Sequence, residues 1–89
     1  MQNFKEEIIV ANSYGLHARP AAVFVQIANQ YDSIVKLEKH GEYVDGKSII
    51  AILSLGINKG AKVRLVVEGE DAKEALSELK EFLERRGDD

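Results

Sequence analysis

Gly15-Leu16-His17-Ala18-Arg19-Pro20-Ala21 is the stretch where the chain changes periodicity, and its proline decides how the flanking residues are read. Proline lacks the N–H that a helix interior uses and its ring clashes with the preceding turn, so Pro20 fits only within a first turn. A helix therefore begins close to His17. Downstream, Ala21, Phe24, Val25 and Ala28 recur at three- and four-residue spacing, which predicts a helix with one apolar face from Ala18 to about Asn29. Upstream, residues 4 to 11 alternate, with Ile8 and Val10 on one side and Glu7 and Ile9 on the other, as in a strand with one buried face. Asn12-Ser13-Tyr14-Gly15 breaks the strand before the helix starts.

Further along, Val35 and Leu37 resume strand alternation, and His40-Gly41 suits a two-residue hairpin turn because glycine, and less readily histidine, tolerates positive φ. Tyr43 and Val44 begin the returning strand. Ser48 to Leu55 predicts a short helix, with Ser48 as N-cap and Gly56 ending it in a left-handed conformation. Ile49, Ile50, Ile52, Leu53 and Leu55 cannot all point inward from two turns, so part of that helix should expose apolar surface. Val63, Leu65 and Val67 alternate with Lys62, Arg64 and Glu68 in the clearest strand of the chain. Asp71-Ala72-Lys73-Glu74 resembles a capping box with Asp in place of Ser or Thr. It would open a last helix whose Ala72, Ala75, Leu76, Leu79, Phe82 and Leu83 face the core, with Glu81 and Arg85 spaced for an i,i+4 pair. The order β-α-β-β-α-β-α predicts an α+β fold, a four-stranded antiparallel sheet covered on one face by three helices.

Composition narrows the functions available. With 89 residues the chain can build one core and not two, so residues 1–89 are expected to form one domain with its function on the outside. Apolar content of 45% beside 30% charged residues is that of a folded globular chain. Cysteine is absent and there are only two histidines, so thiol chemistry is excluded and a metal site is not expected; nor is a cofactor. The amino-terminal residues lack the basic and then apolar run of a signal peptide, and no apolar stretch approaches ~18 residues. That pattern favours a cytoplasmic protein without membrane insertion. A net charge of −3 disfavours nucleic acid as partner, and the aromatic residues form no stripe interleaved with basic ones.

The chemistry concentrates at the helix start. A first turn presents unpaired N–H groups and the positive end of the helix dipole, a ready site for an anion, and His17 and Arg19 stand in it. An imidazole there offers a ring nitrogen as nucleophile, while the N–H groups and the Arg19 fork suit phosphoryl oxygens. Gly15 would let a partner's backbone or phosphate come close. By themselves these residues indicate an anion site with a nucleophilic histidine. The plainer alternative is a His17 that only borders a helix and an Arg19 that is merely solvated. His40 reads as a turn residue, and the tail from Glu84 to Asp89 as a solvated helix end.

Gly15-Leu16-His17-Ala18-Arg19-Pro20-Ala21 resembles the active-site signature of the HPr family of histidine-containing phosphocarriers. Lys47-Ser48-Ile49-Ile50-Ala51-Ile52-Leu53-Ser54-Leu55-Gly56 resembles that family's regulatory-serine signature, and the likeness extends through Asn58-Lys59-Gly60-Ala61 over essentially the whole chain. The resemblance implies an open-faced β-sandwich and a carrier, not an enzyme in its own right. It implies phosphorylation of His17 on Nδ1 by enzyme I, with phosphoenolpyruvate as ultimate donor, assistance by Arg19, and transfer to sugar-specific enzyme IIA domains. It makes Ser48 a candidate target of the HPr kinase/phosphorylase, with a catabolite-control transcription regulator as a further partner. It places Gly15, Leu16, Ala18, Pro20, Lys47, Ile49, Ile50 and Leu53 at the partner interface of a chain expected to be monomeric. Many kinase-regulated members carry methionine where this chain has Ile50 and Leu53, so the surface stays apolar but is stiffer. His17 argues against the regulatory paralogue that keeps the serine and has lost the histidine. The alternatives are the nitrogen-related phosphotransferase carrier, with a regulatory output, and a noncatalytic ligand-binding α+β module in which His17 is structural.

Overall fold

The computed structural model describes residues 1–86. The chain runs β1 (Gln2–Ile9), α1 (Ala18–Ala28), β2 (Ile34–Lys39), β3 (Glu42–Asp45), α2 (Ile49–Ser54), β4 (Lys62–Gly69) and α3 (Ala72–Glu84). All neighbouring strands pair antiparallel in the order β1-β4-β2-β3, so the first strand lies beside the last, and β1 and β3 are the free edges of an open sheet. The three helices cover one face, as the periodicity predicts. Register explains the core: Ile8 stands opposite Val63, Leu65 opposite Leu37, and Val67 opposite Val35. All of these are buried, while Ile9 on the other parity is 52% exposed. Phe24, Ile52, Leu79 and Leu83 fill the helix side of the same cluster.

Local chemistry sets the boundaries. Pro20 is the third residue of α1, inside the first turn. The chain beyond β1 stays pinned through Val10, which donates to the Ala61 carbonyl and accepts from Gly60. His40 and Gly41 take φ of 53° and 87°, the two positive values that a tight hairpin between β2 and β3 needs. Gly56, at φ 61°, ends the α2 segment. Phe82 is only half-buried beside Leu79 and Leu83, at the margin of the apolar face of α3. The Glu81–Arg85 pair forms at 3.8 Å on the exposed side. Of the charged tail, residues 87–89 lie outside the described residues, and Glu84 to Arg86 are exposed.

The capping box expected at Asp71 does not form. Asp71 occupies the N-cap of α3 but makes no side-chain capping bond; its carboxylate accepts instead from the Asp32 amide (2.9 Å), the Ser33 amide (3.1 Å) and the Ser33 hydroxyl. A buried Ser33 at the entrance to β2 needs a partner, and a long-range acceptor outcompetes the local cap. The Ser33 hydroxyl foremost, then the Asp32 amide, hold the Asp71 carboxyl below the usual carboxylate range. A depressed folded value means a contribution to stability that is complete above the ordinary carboxylate pKa of ~3.9 and is lost as pH falls through the folded value. Asp71→Ala should therefore lower Tm at neutral pH, and the gap from the parent should close as the pH is taken down toward ~2. An equal gap at both ends of that range, in thermal melts followed by circular dichroism, would show that another group holds this corner.

Candidate functional site

The site is built on a short loop clasped to the rest of the fold. Asn12 folds it locally, accepting the Tyr14 amide on Oδ1 (3.1 Å) and the Gly15 amide on its carbonyl (3.0 Å). Leu16 then drops into the core, 3% exposed, and its amide donates to the Ile57 carbonyl at 2.9 Å. The next residue, His17, is the N-cap of α1, with extended backbone at φ −79° and ψ −170°. Its carbonyl accepts the Ala21 amide at 2.8 Å, while its side chain makes no capping bond and the residue is exposed. The amides of Ala18 and Arg19 belong to the first turn and have no acceptor within the helix. No first-turn residue of α1 is acidic. An exposed imidazole thus stands at the positive end of an 11-residue helix, with the exposed Arg19 two residues on.

Two of the interface expectations are corrected. Gly15 and Leu16 are both buried, so neither offers a side-chain surface to a partner. Gly15 is there for an internal reason: φ is 68°, and a Cβ would lie 2.5 Å from the Ile57 carbonyl oxygen and 2.7 Å from the Asn58 Cα. Ala18 is exposed and Pro20 half-buried. On α2, Ile49 and Leu53 are each 39% exposed and Ile50 is 80% exposed, whereas Ile52 and Leu55 point into the core. The short helix does carry an apolar outer face.

Ser48 caps α2, its hydroxyl accepting the Ala51 amide at 3.2 Å. The adjacent Lys47 is half-buried, its ammonium donating to the Tyr31 carbonyl (2.8 Å) just past the end of α1. Since Leu16 ties the start of α1 to the end of α2, and Lys47 ties the start of α2 to the end of α1, the two helices run in opposite senses. His17 and Ser48 therefore stand at opposite ends of one face, with Ile49, Ile50 and Leu53 along it. Two features escape a motif search. Lys39 donates to the Leu55 (3.2 Å) and Gly56 (2.7 Å) carbonyls at the end of α2; its parity with Val35 and Leu37 is the signal that it lies under the helices. The second is a charge pattern: no Asp or Glu occurs from residue 11 to 30 or from 46 to 61.

A family model described as the PTS HPr component phosphorylation site matches residues 4–85. The chain belongs to the HPr family. It is 44% identical over 80 residues to the HPr-like protein Crh of Bacillus subtilis, an alignment covering 90% of this chain and 94% of that relative. The crystal structure of the phosphocarrier protein HPr of Bacillus anthracis superposes with a TM-score of 0.89 at 40% identity, covering 93% of this chain and 99% of the other. A crystal structure of B. subtilis Crh, named as a swapping-domain dimer, superposes with a TM-score of 0.74 at 45% identity, covering 88% of this chain and 90% of that one. The family takes its description from the phosphocarrier HPr of the phosphotransferase system and also includes the HPr-like protein Crh, and the open four-stranded sheet with three helices is its fold.

The clasp at Gly15 is open to a direct test. Gly15→Ala combines a left-handed backbone with a clash against main-chain atoms that cannot swing away, so it should cost about 1–3 kcal/mol. Gly41→Ala, at φ 87° with nothing within 4 Å of the added carbon, keeps only the conformational penalty and should cost less. Urea denaturation of both variants checks the order; equal losses would mean that the Ile57–Asn58 backbone yields.

Proposed function

We propose that this chain is a general phosphocarrier that accepts a phosphoryl group on His17 from enzyme I, with phosphoenolpyruvate as ultimate donor, and passes it to sugar-specific enzyme IIA domains. The observation that carries the reading is that His17, exposed and free of any capping bond, is the N-cap of α1, whose first-turn amides have no acceptor within the helix. In the transfer, a lone pair on the His17 ring attacks phosphorus, the new P–N bond forms in line, and the bond to the donor group breaks. The Ala18 and Arg19 amides and the Arg19 guanidinium face the phosphoryl oxygens as charge moves onto this protein. The same contacts serve the onward step, with the chain as donor. One copy is the working unit in this reading, its α1/α2 face free for each partner in turn; the swapped dimer is a property of the Crh relative. A purely regulatory member needs the serine and no histidine, and the placement of His17 favours the transfer role.

Incubation with enzyme I and phosphoenolpyruvate should give one acid-labile phosphate per chain, lost in His17→Ala with the fold intact by circular dichroism. Arg19→Lys should slow transfer at least about tenfold, because a point charge does not reproduce the guanidinium fork, while stability changes by less than about 1 kcal/mol. Full phosphorylation of the His17→Ala protein would end the proposal.

Ser48 adds regulation to the same reading. As N-cap it contributes about 0.5–2 kcal/mol to α2, and a phosphate there brings roughly 1.5–2 negative charges to a helix start where the dipole tolerates them. The fold stays, and the apolar face of Ile49, Ile50 and Leu53 gains a charged neighbour that opposes docking to enzyme I. The same group gives a catabolite-control regulator a handle for arginine, with the HPr kinase/phosphorylase as the modifying enzyme. Ser48→Asp should raise the KM for phosphorylated enzyme I about threefold or more with Tm nearly unchanged. Parental kinetics, both in that variant and in authentic phosphoserine protein, would reduce Ser48 to a cap.

A further inference from the structure

We propose that Lys39 is a positioning residue for His17, acting through the C-terminal end of α2; the inference rests on His17 being the phosphoacceptor. Lys39 is the last residue of β2 and shares the inward parity of Val35 and Leu37, an unusual place for an ammonium group. Among the described residues it forms no ion pair. Its donors go to the Gly56 carbonyl at 2.7 Å and the Leu55 carbonyl at 3.2 Å. The Leu55 carbonyl is that of the C-cap of a six-residue helix and Gly56 follows it, so the ammonium stands at the end where the helix dipole favours a cation.

The residue after Gly56 makes this more than a cap. The Ile57 carbonyl accepts the Leu16 amide at 2.9 Å and lies against Gly15, so the ground that Lys39 fixes is the ground on which the His17 loop rests. The route from ammonium to imidazole runs through two carbonyls, one peptide unit, one hydrogen bond and one bonded neighbour. Two consequences follow. The height of residues 15–17 over α2 is set by a strong, charge-assisted contact and not only by a short helix that would fray alone. The partial negative charge of the α2 carbonyls is also neutralised at the end nearest the histidine, which lowers the electrostatic cost of bringing a phosphoryl anion there.

The test compares Lys39→Met, which keeps the apolar stem and loses the ammonium, with Lys39→Arg, which keeps the charge. Lys80→Met serves as control for stability alone, since it breaks the surface pair between Lys80 on α3 and Glu6 on β1 (2.9 Å). Two quantities are read: amide hydrogen exchange at Leu16 in the unphosphorylated protein, and kcat and KM for transfer from phosphorylated enzyme I. Lys39→Met should speed Leu16 exchange about tenfold and lower kcat roughly five- to tenfold with KM unchanged; Lys39→Arg should recover most of both, and Lys80→Met should move neither. Parental exchange and kcat in Lys39→Met would overturn the inference, as would an equal loss in Lys80→Met. A parent protein that takes no phosphate at all removes the proposed function and the inference with it, an outcome plain before any variant is made.

Discussion

Gly15 and the Ile57 carbonyl approach so closely that a single methyl group does not fit between them, and the arrangement of the functional face depends on that contact. A left-handed glycine costs little in backbone energy, so the approach can be held by modest forces. Burial of Leu16 supplies about 1.5–3 kcal/mol and its bond to Ile57 about 0.5–1.5 kcal/mol. Because Leu16 points inward, the extended N-cap that follows carries the His17 side chain outward. The helix start, the exposed ring and the end of α2 are thus consequences of one close backbone contact between segments about forty residues apart in sequence.

Charge is distributed with the same economy. All fifteen Asp and Glu residues lie outside 11–30 and 46–61, the two segments that form α1, α2 and their flanking loops, whereas Arg19, Lys47 and Lys59 lie within them. An acidic chain therefore keeps its carboxylates out of the segments that build α1 and α2. In the proposed transfer role, that distribution would ease the approach of an anionic group to His17. The open sheet carries its charges as cross-strand pairs such as Glu7 with Arg64 at 3.1 Å, and Glu6, on the helix side of the edge strand β1, is met by Lys80. Inward charge on an edge strand also discourages pairing with another chain.

Those parts of the architecture that follow from local rules are legible in the sequence. Pro20 admits one helix start, the alternation at Val63, Leu65 and Val67 admits one buried face, and His40-Gly41 admits the two positive φ values of a tight hairpin. His17 is legible for the same reason, since a cap position follows from the proline. What a local reading misses depends on residues far away. The Asp71 carboxylate leaves its own helix for Ser33, thirty-eight positions back. Gly15 and Leu16 sit inside a signature that invites a surface reading, yet they are committed to the Ile57 clasp. Nothing in the wording of Lys39-His40-Gly41 says that an ammonium will end α2; only the strand parity hints at it.

In the proposed transfer role, the exposure of His17 bears on what a carrier requires. A group that must be both taken and given away is best held by contacts of similar strength in acceptor and donor roles, because excess stabilisation of the loaded state slows the second transfer. A ring in open solvent with a few amides and one arginine meets that condition: in water such contacts are screened and contribute modestly. Were a partner's surface to cover the face, as the proposed role requires, water would leave and the same donors would act in a lower dielectric, strengthening where the transition state would form. On the proposed reading, the apolar outer side of α2 is the surface that would let a partner exclude water beside His17. A deep pocket would have stabilised the charge permanently; a shallow face does so only during the encounter.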